Sequence, residues 1–395
     1  MHRPLRVLVV GAGVGGISVA RGLVRDGHDV TVFEQRPDVS AGGGAVTIWS
    51  NGATVLEQLG VDMDGAGQLL STVRVLTATG RAIATLDLTT IEDRLGAPVR
   101  MVPRRVLLQR LLDGFPVERI RCGARAVEVV ETPSGVRIDF DDGNSAVGDV
   151  VIGADGLHST IRRLVGARPA TPTGWCSWQG LASLPEVAEG RVALMMIGPH
   201  GNLGLWPAGG FAVQWWFDLP WSADFARPQR PIEMIRSHFT GWSDVVDRLL
   251  ATLTDDDLAR SPFPHFRHPI PGAGRGAVTL LGDAAHTMPP TLAQGTNQAL
   301  LDTMVLRKAL REFHHAPNAL RWYENTRRRK VQAVSWVTTQ QVSRSEALLR
   351  PAAMISDRLM TWALATFLRS VSHHRMSVAI SRELEASAVA AGLRG

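Results

Sequence analysis

Three glycines near the start of the chain have the G-x-G-x-x-G spacing of a phosphate-binding turn: Gly11, Gly13 and Gly16. The apolar run 5–10 before them predicts a strand, and the helical spacing of residues 17–24 predicts a helix after them. In such a turn the first glycine permits the tight bend, the second lets a pyrophosphate approach the backbone, and the third allows close helix packing. The helix N-terminus adds free N–H groups and partial positive charge for the phosphates. The segment therefore predicts a dinucleotide site, with a ligand-free glycine turn as the alternative.

An acidic residue stands at the end of the next predicted strand. Residues 29–33 (DVTVF) complete a strand-helix-strand unit, and Glu34 follows them directly. Its carboxylate is placed to accept hydrogen bonds from a ribose, and its charge would repel a 2′-phosphate. These features predict a dinucleotide without distinguishing NAD from FAD.

Two aspartates lie directly after later buried strands. Asp155 belongs to GADGLHSTIR, after the predicted strand 149–152, and Asp283 belongs to GDAAHTMPPTLAQGTNQALLD, after the predicted strand 277–281. An aspartate between a buried strand and a helix N-terminus suits a polyol and a flavin carbonyl that gains negative charge on reduction. In the alternative interpretation, Asp283 is only a helix cap.

With these segments the sequence resembles the class A flavoprotein monooxygenases, the family of p-hydroxybenzoate hydroxylase and salicylate hydroxylase, from the first strand to about residue 330. The resemblance implies FAD as cofactor, with Asp155 near the pyrophosphate and Asp283 on the ribityl chain. It places Arg104 in contact with FAD, although Arg104 as a solvated neighbour of Arg105 is an alternative. The cofactor-binding residues implied are Gly11, Gly13, Gly16, Glu34, Arg104, Asp155, Asp283, and, against the isoalloxazine ring, Pro290, Gly295 and Asn297.

The same resemblance implies the reaction. NADH or NADPH reduces FAD, dioxygen forms a flavin C4a-hydroperoxide, and its distal oxygen hydroxylates or epoxidises an electron-rich aromatic substrate. Because the flavin carries the oxygen chemistry, no catalytic side chain is predicted. The glycines of 272–276 precede a strand and predict a turn, so no second dinucleotide motif is found and the nicotinamide cofactor is expected to dock transiently.

The predicted fold class is α/β of the p-hydroxybenzoate hydroxylase type, with a Rossmann-like FAD-binding domain of discontinuous sequence, a β-sheet substrate domain and C-terminal helices. Seven of the eleven tryptophans lie between residues 170 and 268, which reads as the β-rich part. The proline-rich segment 261–271 predicts a return linker. The predicted division is 1–72, 99–168 and 270–330 for the FAD-binding domain, 73–98 and 169–269 for the substrate domain, and 331–395 for the C-terminal helices.

A predicted strand at 211–218 alternates strongly apolar residues with mixed ones, and its aromatic rings favour a flat, apolar substrate, with polycyclic and natural-product aromatics included. Any single tryptophan can instead belong to the core. The predicted substrate contacts are Gln179, Trp206, Trp215, Phe217 and Pro289.

The chain departs from the family at two places. Where the family often has Trp-Arg-Gly, this chain has glutamine, Gln179, in place of the arginine, which removes a charge near the expected pocket. Where the family often has Gly-Gln-Gly, Ala293 replaces the first glycine. The one tyrosine, Tyr323, lies in the C-terminal helical part, so a tyrosine base is not expected. Either another group such as a histidine deprotonates the substrate, or the substrate needs no base.

Composition excludes several other classes. The 395 residues carry a net charge of +5, but no basic block predicts nucleic-acid binding. No apolar run of about 18 residues predicts a membrane span, and the N-terminus has no signal-peptide pattern, so a cytoplasmic protein is expected. Cys122 and Cys176 are predicted to be core residues, and their spacing suits neither a disulfide framework nor a metal.

Three other functions remain open for the sequence. A flavin-dependent halogenase is disfavoured, because neither lysine, Lys308 or Lys330, sits in a Trp-x-Trp-x-Ile-Pro context. A reductase or dehydrogenase of the same fold would show no incorporation of labelled dioxygen. In a noncatalytic FAD-binding protein, NADH and NADPH would fail to bleach the flavin.

Overall fold

The computed structural model describes residues 3–40, 42–133, 135–269, 272–342 and 355–390. Its strands are β1 (Arg6–Val10), β2 (Asp29–Glu34), β3 (Ala45–Ile48), β4 (Gln68–Leu69), β5 (Thr72–Thr77), β6 (Ala82–Asp87), β7 (Arg100–Pro103), β8 (Ile120–Cys122), β9 (Ala126–Thr132), β10 (Gly135–Phe140), β11 (Ser145–Gly148), β12 (Val150–Gly153), β13 (Thr171–Ser183), β14 (Val192–Ile197), β15 (Asn202–Gly209), β16 (Ala212–Pro220), β17 (Phe263–Arg267) and β18 (Val278–Leu280).

The helices follow the strands along the chain, with short 3-10 turns at Val117–Arg119 and Pro290–Leu292. They are α1 (Val14–Arg25), α2 (Ser50–Gln58), α3 (Leu88–Leu95), α4 (Arg104–Leu112), α5 (Thr160–Leu164), α6 (Pro185–Ala188), α7 (Pro231–Phe239), α8 (Asp244–Thr252), α9 (Asp283–His286), α10 (Gly295–Glu312), α11 (Ala316–Val342), and two C-terminal helices, Asp357–Val371 and His374–Ala390. Within the described residues, every helix is too short or too polar to cross a lipid bilayer.

A parallel five-stranded sheet with the order β18-β12-β1-β2-β8 carries the glycine turn. Its central strands are apolar and buried on both faces, as parallel sheets require. Strand β18 joins this sheet only after the chain has built the second sheet, so the predicted discontinuity of the Rossmann-like part is confirmed. The carboxyl ends of β1, β12 and β18 lie side by side, which places Gly11, Asp155 and Asp283 along one edge.

A mixed seven-stranded sheet with the order β17-β13-β16-β15-β14-β5-β6 forms the tryptophan-rich part. Helices α7 and α8 cover one of its faces with apolar side chains. The other face packs against Ala45, Trp49 and the helix Asp357–Val371. The sheet is therefore held between two helices and the part of the chain that follows the glycine turn.

Two sequence predictions are wrong at the edges of these sheets. The segment 261–271 contains a strand, β17, instead of being only a linker; Pro264 is tolerated because β17 is an edge strand and proline needs no ladder partner there. Cys122 is exposed, because it ends the edge strand β8, whereas Cys176 is buried as predicted.

The predicted boundary at residues 330 and 331 falls inside one continuous helix, α11, which packs on α10. The division into domains stays a prediction. The fold class, with a parallel FAD-type sheet, a β-rich second part and C-terminal helices, is confirmed.

Candidate active site

The glycine turn uses its three glycines differently. Gly11 has φ of +106°, and a side chain there would overlap the backbone of Ala154. A side chain on Gly16 would overlap the carbonyl oxygen of Gly11. Gly13, by contrast, has φ of −74°, and a Cβ there would have nothing within 4 Å. Gly11 and Gly16 are thus needed by the fold, and Gly13 faces the space that a pyrophosphate would fill, beside a helix start with no side-chain cap.

Glu34 fixes this turn from the side. One carboxylate oxygen accepts a hydrogen bond from the Ala12 N–H at 2.9 Å, and the other accepts from the Arg36 N–H at 3.0 Å. The side chain is buried. Oε1 also accepts a hydrogen bond from Arg36 Nε at 3.2 Å, whereas Oε2 keeps a second lone pair. Contact of Glu34 with a ribose therefore stays a prediction, while its support of the turn is observed.

Asp155 directs its carboxylate away from the glycine turn. It accepts hydrogen bonds from the Ser159 hydroxyl at 2.5 Å, the Thr160 N–H at 2.7 Å and the Ile161 N–H at 3.1 Å, which caps helix α5. Burial raises the pKa of Asp155, against these hydrogen bonds. Its backbone, however, packs against Gly11. Asp155 therefore shapes the phosphate turn by position, and contact of its carboxylate with FAD stays a prediction.

Arg104 and Asp283 face a common space, which we call the central cleft and which is bounded by these two residues and Gly295. The Arg104 side chain reaches solvent, yet surrounding protein lowers its pKa while the charge of Asp283 raises it. Asp283 is exposed, and a Cβ on Gly295 would lie 3.8 Å from its Oδ1 atom. Within the described residues, no group donates a hydrogen bond to the Asp283 carboxylate, so it is not a cap of α9 and is available to a ligand.

A buried ionic network that sequence reasoning missed holds Asp283 in place. Asp302 accepts hydrogen bonds from the Gly282 N–H at 2.9 Å, from His286 Nε2 at 2.6 Å and from Arg327 Nε at 2.6 Å. Burial would raise the pKa of Asp302, but the charges of His286 and Arg327 hold it at about 2. The signal was available as an aspartate inside the apolar run LLDTMV of α10. His286, which had no predicted role, is part of this network.

Asn297 and Pro290, both predicted to lie against the flavin ring, have different surroundings. Asn297 uses its whole amide internally: Oδ1 accepts from the Trp49 N–H, and Nδ2 donates to the carbonyls of Thr47 and Ala293 at 2.9 and 2.8 Å. It thereby ties α10 to the start of α2. Pro290 is exposed and begins the short turn before Ala293. Contact of Asn297 or Pro290 with the flavin ring stays a prediction.

Ala293 has left-handed backbone, with φ of +49°. This conformation favours glycine, because a Cβ crowds the neighbouring carbonyl. Glycine, which the resemblance leads us to expect at this position, would adopt this conformation without strain, and alanine is a departure from that pattern.

The seven-stranded sheet presents Trp206, Gln214 and Trp216 toward the glycine-turn part of the chain. Gln214 Oε1 accepts from the Ala45 N–H at 2.5 Å, and the rings of Trp206 and Trp216 are 5.7 Å apart. Trp216 lies over Gly204, where any side chain would overlap its indole. Because the Arg104 N–H donates to the Gly44 carbonyl at 3.0 Å, this face of the sheet borders the central cleft.

Trp215 and Phe217 lie on the opposite face, so their prediction as substrate contacts is wrong. Both are fully buried under α7, with Phe217 and Phe239 ring centroids 4.7 Å apart. The strongly apolar face of a strand is the one that helices cover, and the mixed face is left for the site. Gln179 is the cross-strand neighbour of Trp216 and lies on the site face. Pro289 is buried beside the Pro290 turn, and Gln214 and Trp216 are residues that the sequence prediction missed.

Metal ligation has no candidate in the described part of the chain, where no group of three or more His, Cys, Asp or Glu side chains could hold an ion. The glycine turn, the central cleft and the aromatic sheet face together define a flavoprotein of the class A type. Residues 4–338 match the FAD binding domain family, and the chain belongs to this family. The resemblance drawn from the motifs and the FAD cofactor are thereby confirmed.

Three relatives illustrate the similarity. The FAD-dependent urate hydroxylase of Klebsiella oxytoca is 32% identical over 332 residues, which cover 82% of this chain and 86% of that protein. The 3-amino-4-hydroxybenzoate 2-monooxygenase PtnB3 of Streptomyces platensis is 34% identical over 354 residues, covering 84% of this chain and 86% of that protein. The structure of Klebsiella pneumoniae HpxO complexed with FAD and uric acid matches with a TM-score of 0.84 at 27% identity, covering 93% of this chain and 97% of that one.

Proposed function

We propose that this protein is an FAD-dependent monooxygenase that consumes NADH or NADPH and dioxygen to hydroxylate or epoxidise a small aromatic compound. The observation that carries the proposal is the position of the central cleft, which has a free carboxylate and a cation on one side and the Trp206 and Trp216 rings on the other. The names of the relatives, a urate hydroxylase and an aminohydroxybenzoate monooxygenase, support a ring-shaped substrate.

The residues fit FAD at both ends of the dinucleotide. The uncapped start of α1 at Gly13 would bind the pyrophosphate, and Asp283 would accept hydrogen bonds from the ribityl hydroxyls. Helix α10 begins at Gly295 without a side-chain cap, and its first turn holds no acidic residue. Its free N–H groups would stabilise negative charge on the flavin ring. Bound FAD supplies electron storage and activation of dioxygen.

The sheet face supplies the binding surface for the substrate. Trp216 is partly exposed and offers flat apolar area, the buried Trp206 ring packs 5.7 Å from it, and Gln214 joins this face to the β3 segment through Ala45. Gln179, in place of an arginine, puts no charge directly beside Trp216. An aromatic surface excludes water and orients a flat ring, which is what the protein must contribute when the cofactor carries the chemistry.

Turnover with a panel of aromatic and heteroaromatic compounds tests the proposal. The expected result is substrate-stimulated consumption of NADH or NADPH and a product heavier by one oxygen atom. Consumption without an oxygenated product from any compound would instead identify a reductase or dehydrogenase. A flavin that neither NADH nor NADPH bleaches would identify a noncatalytic FAD-binding protein.

Neighbouring tryptophans on opposite faces of β16 provide a matched pair of variants. Trp216→Phe changes the site face, so we expect a raised KM or poorer coupling of NAD(P)H consumption to product, with the unfolding midpoint nearly unchanged. Trp215→Phe changes the core under α7, so we expect lower stability with KM unchanged. The reverse pattern would contradict the assignment of the site to the Trp216 face.

A further inference from the structure

A polar row crosses the site face of the seven-stranded sheet one step beyond Trp216. Asp218 follows Trp216 by two residues on β16 and therefore points to the same face. Ser177 on β13 is its direct cross-strand partner, and its hydroxyl donates to Asp218 Oδ1 at 2.5 Å. The same hydroxyl oxygen lies 2.6 Å from His265 Nε2. Ser177 and His265 are buried, and the Asp218 side chain is 14% exposed.

The hydrogen bonds of this row leave two acceptors unused. Since Ser177 donates its proton to Asp218, its oxygen accepts from His265 Nε2–H, and His265 Nδ1 is then a bare acceptor. That nitrogen is buried and has no partner among the described residues. Asp218 Oδ2 likewise receives no hydrogen bond from the described part of the chain. The Asp218 side chain is partly exposed, so this free oxygen is accessible to a donor group of a ligand.

The charges around Asp218 differ from those of a buried ion pair, in which a cation compensates the carboxylate. The titratable group that faces Asp218 is His265, at 3.9 Å. Cys176 packs in the core on the opposite face of the sheet, where burial and the charge of Asp218 raise its pKa. In the described residues no lysine or arginine pairs with Asp218. Burial raises the pKa of Asp218 to about 7, against the Ser177 hydrogen bond, and burial lowers the pKa of His265 to about 4. A carboxyl group poised near neutral pH suits proton transfer.

Tyr323, the one tyrosine of the chain, cannot accept a proton from the substrate. The Tyr323 hydroxyl is buried and donates to the Leu280 carbonyl at 3.1 Å, behind β18. Burial raises its pKa further above the usual value. An acidic substrate therefore needs another proton acceptor, and Asp218 in the polar row lies on the sheet face where the ring would bind.

We propose that Asp218 accepts a proton from a ring hydroxyl or ring N–H of the substrate, with Ser177 and His265 as its positioning residues. The inference rests on the proposed function and narrows it to substrates with such an acidic group. In the step, the substrate O–H or N–H bond breaks, its electron pair stays on the substrate, and an O–H bond forms on Asp218 Oδ2. The ring becomes richer in electrons, which favours attack by an electrophilic oxygen. The carboxyl is oriented through Oδ1 by Ser177.

Binding of naphthol and its methyl ether, methoxynaphthalene, to the FAD-loaded protein tests the proposal without turnover. The two probes share the fused ring and its oxygen, and in the ether a methyl group replaces the acidic proton. We expect the protein to bind naphthol at least about tenfold more tightly, which corresponds to about 1.4 kcal/mol. The preference should increase as pH rises through about 7, because Asp218 then becomes the ionised acceptor. In Asp218→Asn the preference and its pH dependence should both disappear.

Three further variants separate the proposed role from a structural one. Ser177→Ala keeps the carboxyl group but loses its positioning, so a partial loss of preference is expected even if Asp218→Asn does not fold. Asp218→Glu should restore part of the pH-dependent preference. Asp224→Asn removes an exposed acid from the same part of the chain and should change nothing.

Equal affinity for the two probes, binding of neither, or an unchanged preference in both Asp218→Asn and Ser177→Ala would overturn the assignment. Because only binding is measured, a protein that discriminates between the probes but never oxygenates a substrate would refute the proposed function and leave this assignment standing.

Discussion

Gly13→Ala separates cofactor binding from folding at a single methyl group. Gly13 has φ of −74° and ψ of −178°, which alanine adopts freely, and its Cβ would meet nothing within 4 Å. Alanine reduces the freedom of the unfolded chain but is a poorer N-cap than glycine, so the free energy of unfolding should change by less than about 1 kcal/mol. The methyl group would, however, occupy the space through which a pyrophosphate approaches the helix N-terminus.

The loss expected for FAD follows from that geometry. Displacing a phosphate from one backbone N–H removes a charge-assisted hydrogen bond, worth about 1.5–3 kcal/mol, so Kd should rise by about 10- to 100-fold. Kd is measured by titrating FAD fluorescence against the apo-protein, and stability by urea unfolding. Gly16→Ala is the matched control, because the same methyl group overlaps the Gly11 carbonyl and should cost about 1–3 kcal/mol of stability. Wild-type FAD affinity in Gly13→Ala would refute the placement of the pyrophosphate.

Three further predictions concern the surroundings of the cleft, each checked by urea unfolding. Ala293→Gly relieves the left-handed φ of +49° and should stabilise the protein by about 0.5–1 kcal/mol after the entropy cost of glycine; a loss of stability would contradict it. Asp302→Asn leaves Arg327 and His286 without their buried counter-charge and should cost about 3–5 kcal/mol, so a change below 1 kcal/mol would be evidence against the network. Burial is the main cause that lowers the pKa of His373 from 6.5 to about 3. The contribution of neutral His373 to the free energy of unfolding is therefore complete above pH 6.5 and is lost as pH falls toward 3. Asparagine tolerates the φ of +50° at this position, so His373→Asn should reduce the acid-induced loss of stability by about 1.4 kcal/mol per pH unit, and an unchanged pH profile would count against this role.

The phosphate end of the site was predictable because its requirements are local. The spacing of Gly11, Gly13 and Gly16, the strand before them and the helix after them are all contiguous in the sequence. Strand β18 could likewise be assigned to the parallel sheet from its apolar run and the aspartate that follows it. Such features can be predicted because neighbouring residues in the sequence determine them, whichever tertiary contacts form later.

The substrate side depended on information that is not local. Alternation along β16 correctly divides its residues between two faces, but only the packing of α7 and α8 determines which face is covered. The more apolar face, with Trp215, became core, and the face with Trp216 and Asp218 was left for the site. Helices α7 and α8, which follow β16 in the sequence, cover the face that carries Trp215.

Motif residues also proved ambiguous, because a polar side chain can serve a ligand or a neighbouring backbone. Asp155 caps α5, and Asn297 ties α10 to α2, whereas Asp283 keeps its carboxylate free in the cleft. The residue type and its position in the motif are similar in each case. The difference lies in the N–H groups that surround each side chain, which the sequence does not reveal.

We propose that the cleft between the parallel sheet and the aromatic sheet face performs oxygen transfer. Mass spectrometry of the product formed under isotopically labelled dioxygen is the decisive test of this proposal. We expect one labelled oxygen atom in each product molecule, formed only when NADH or NADPH is supplied. A product whose added oxygen comes from water, or consumption of NADH and NADPH with no labelled product from any aromatic compound, would contradict it.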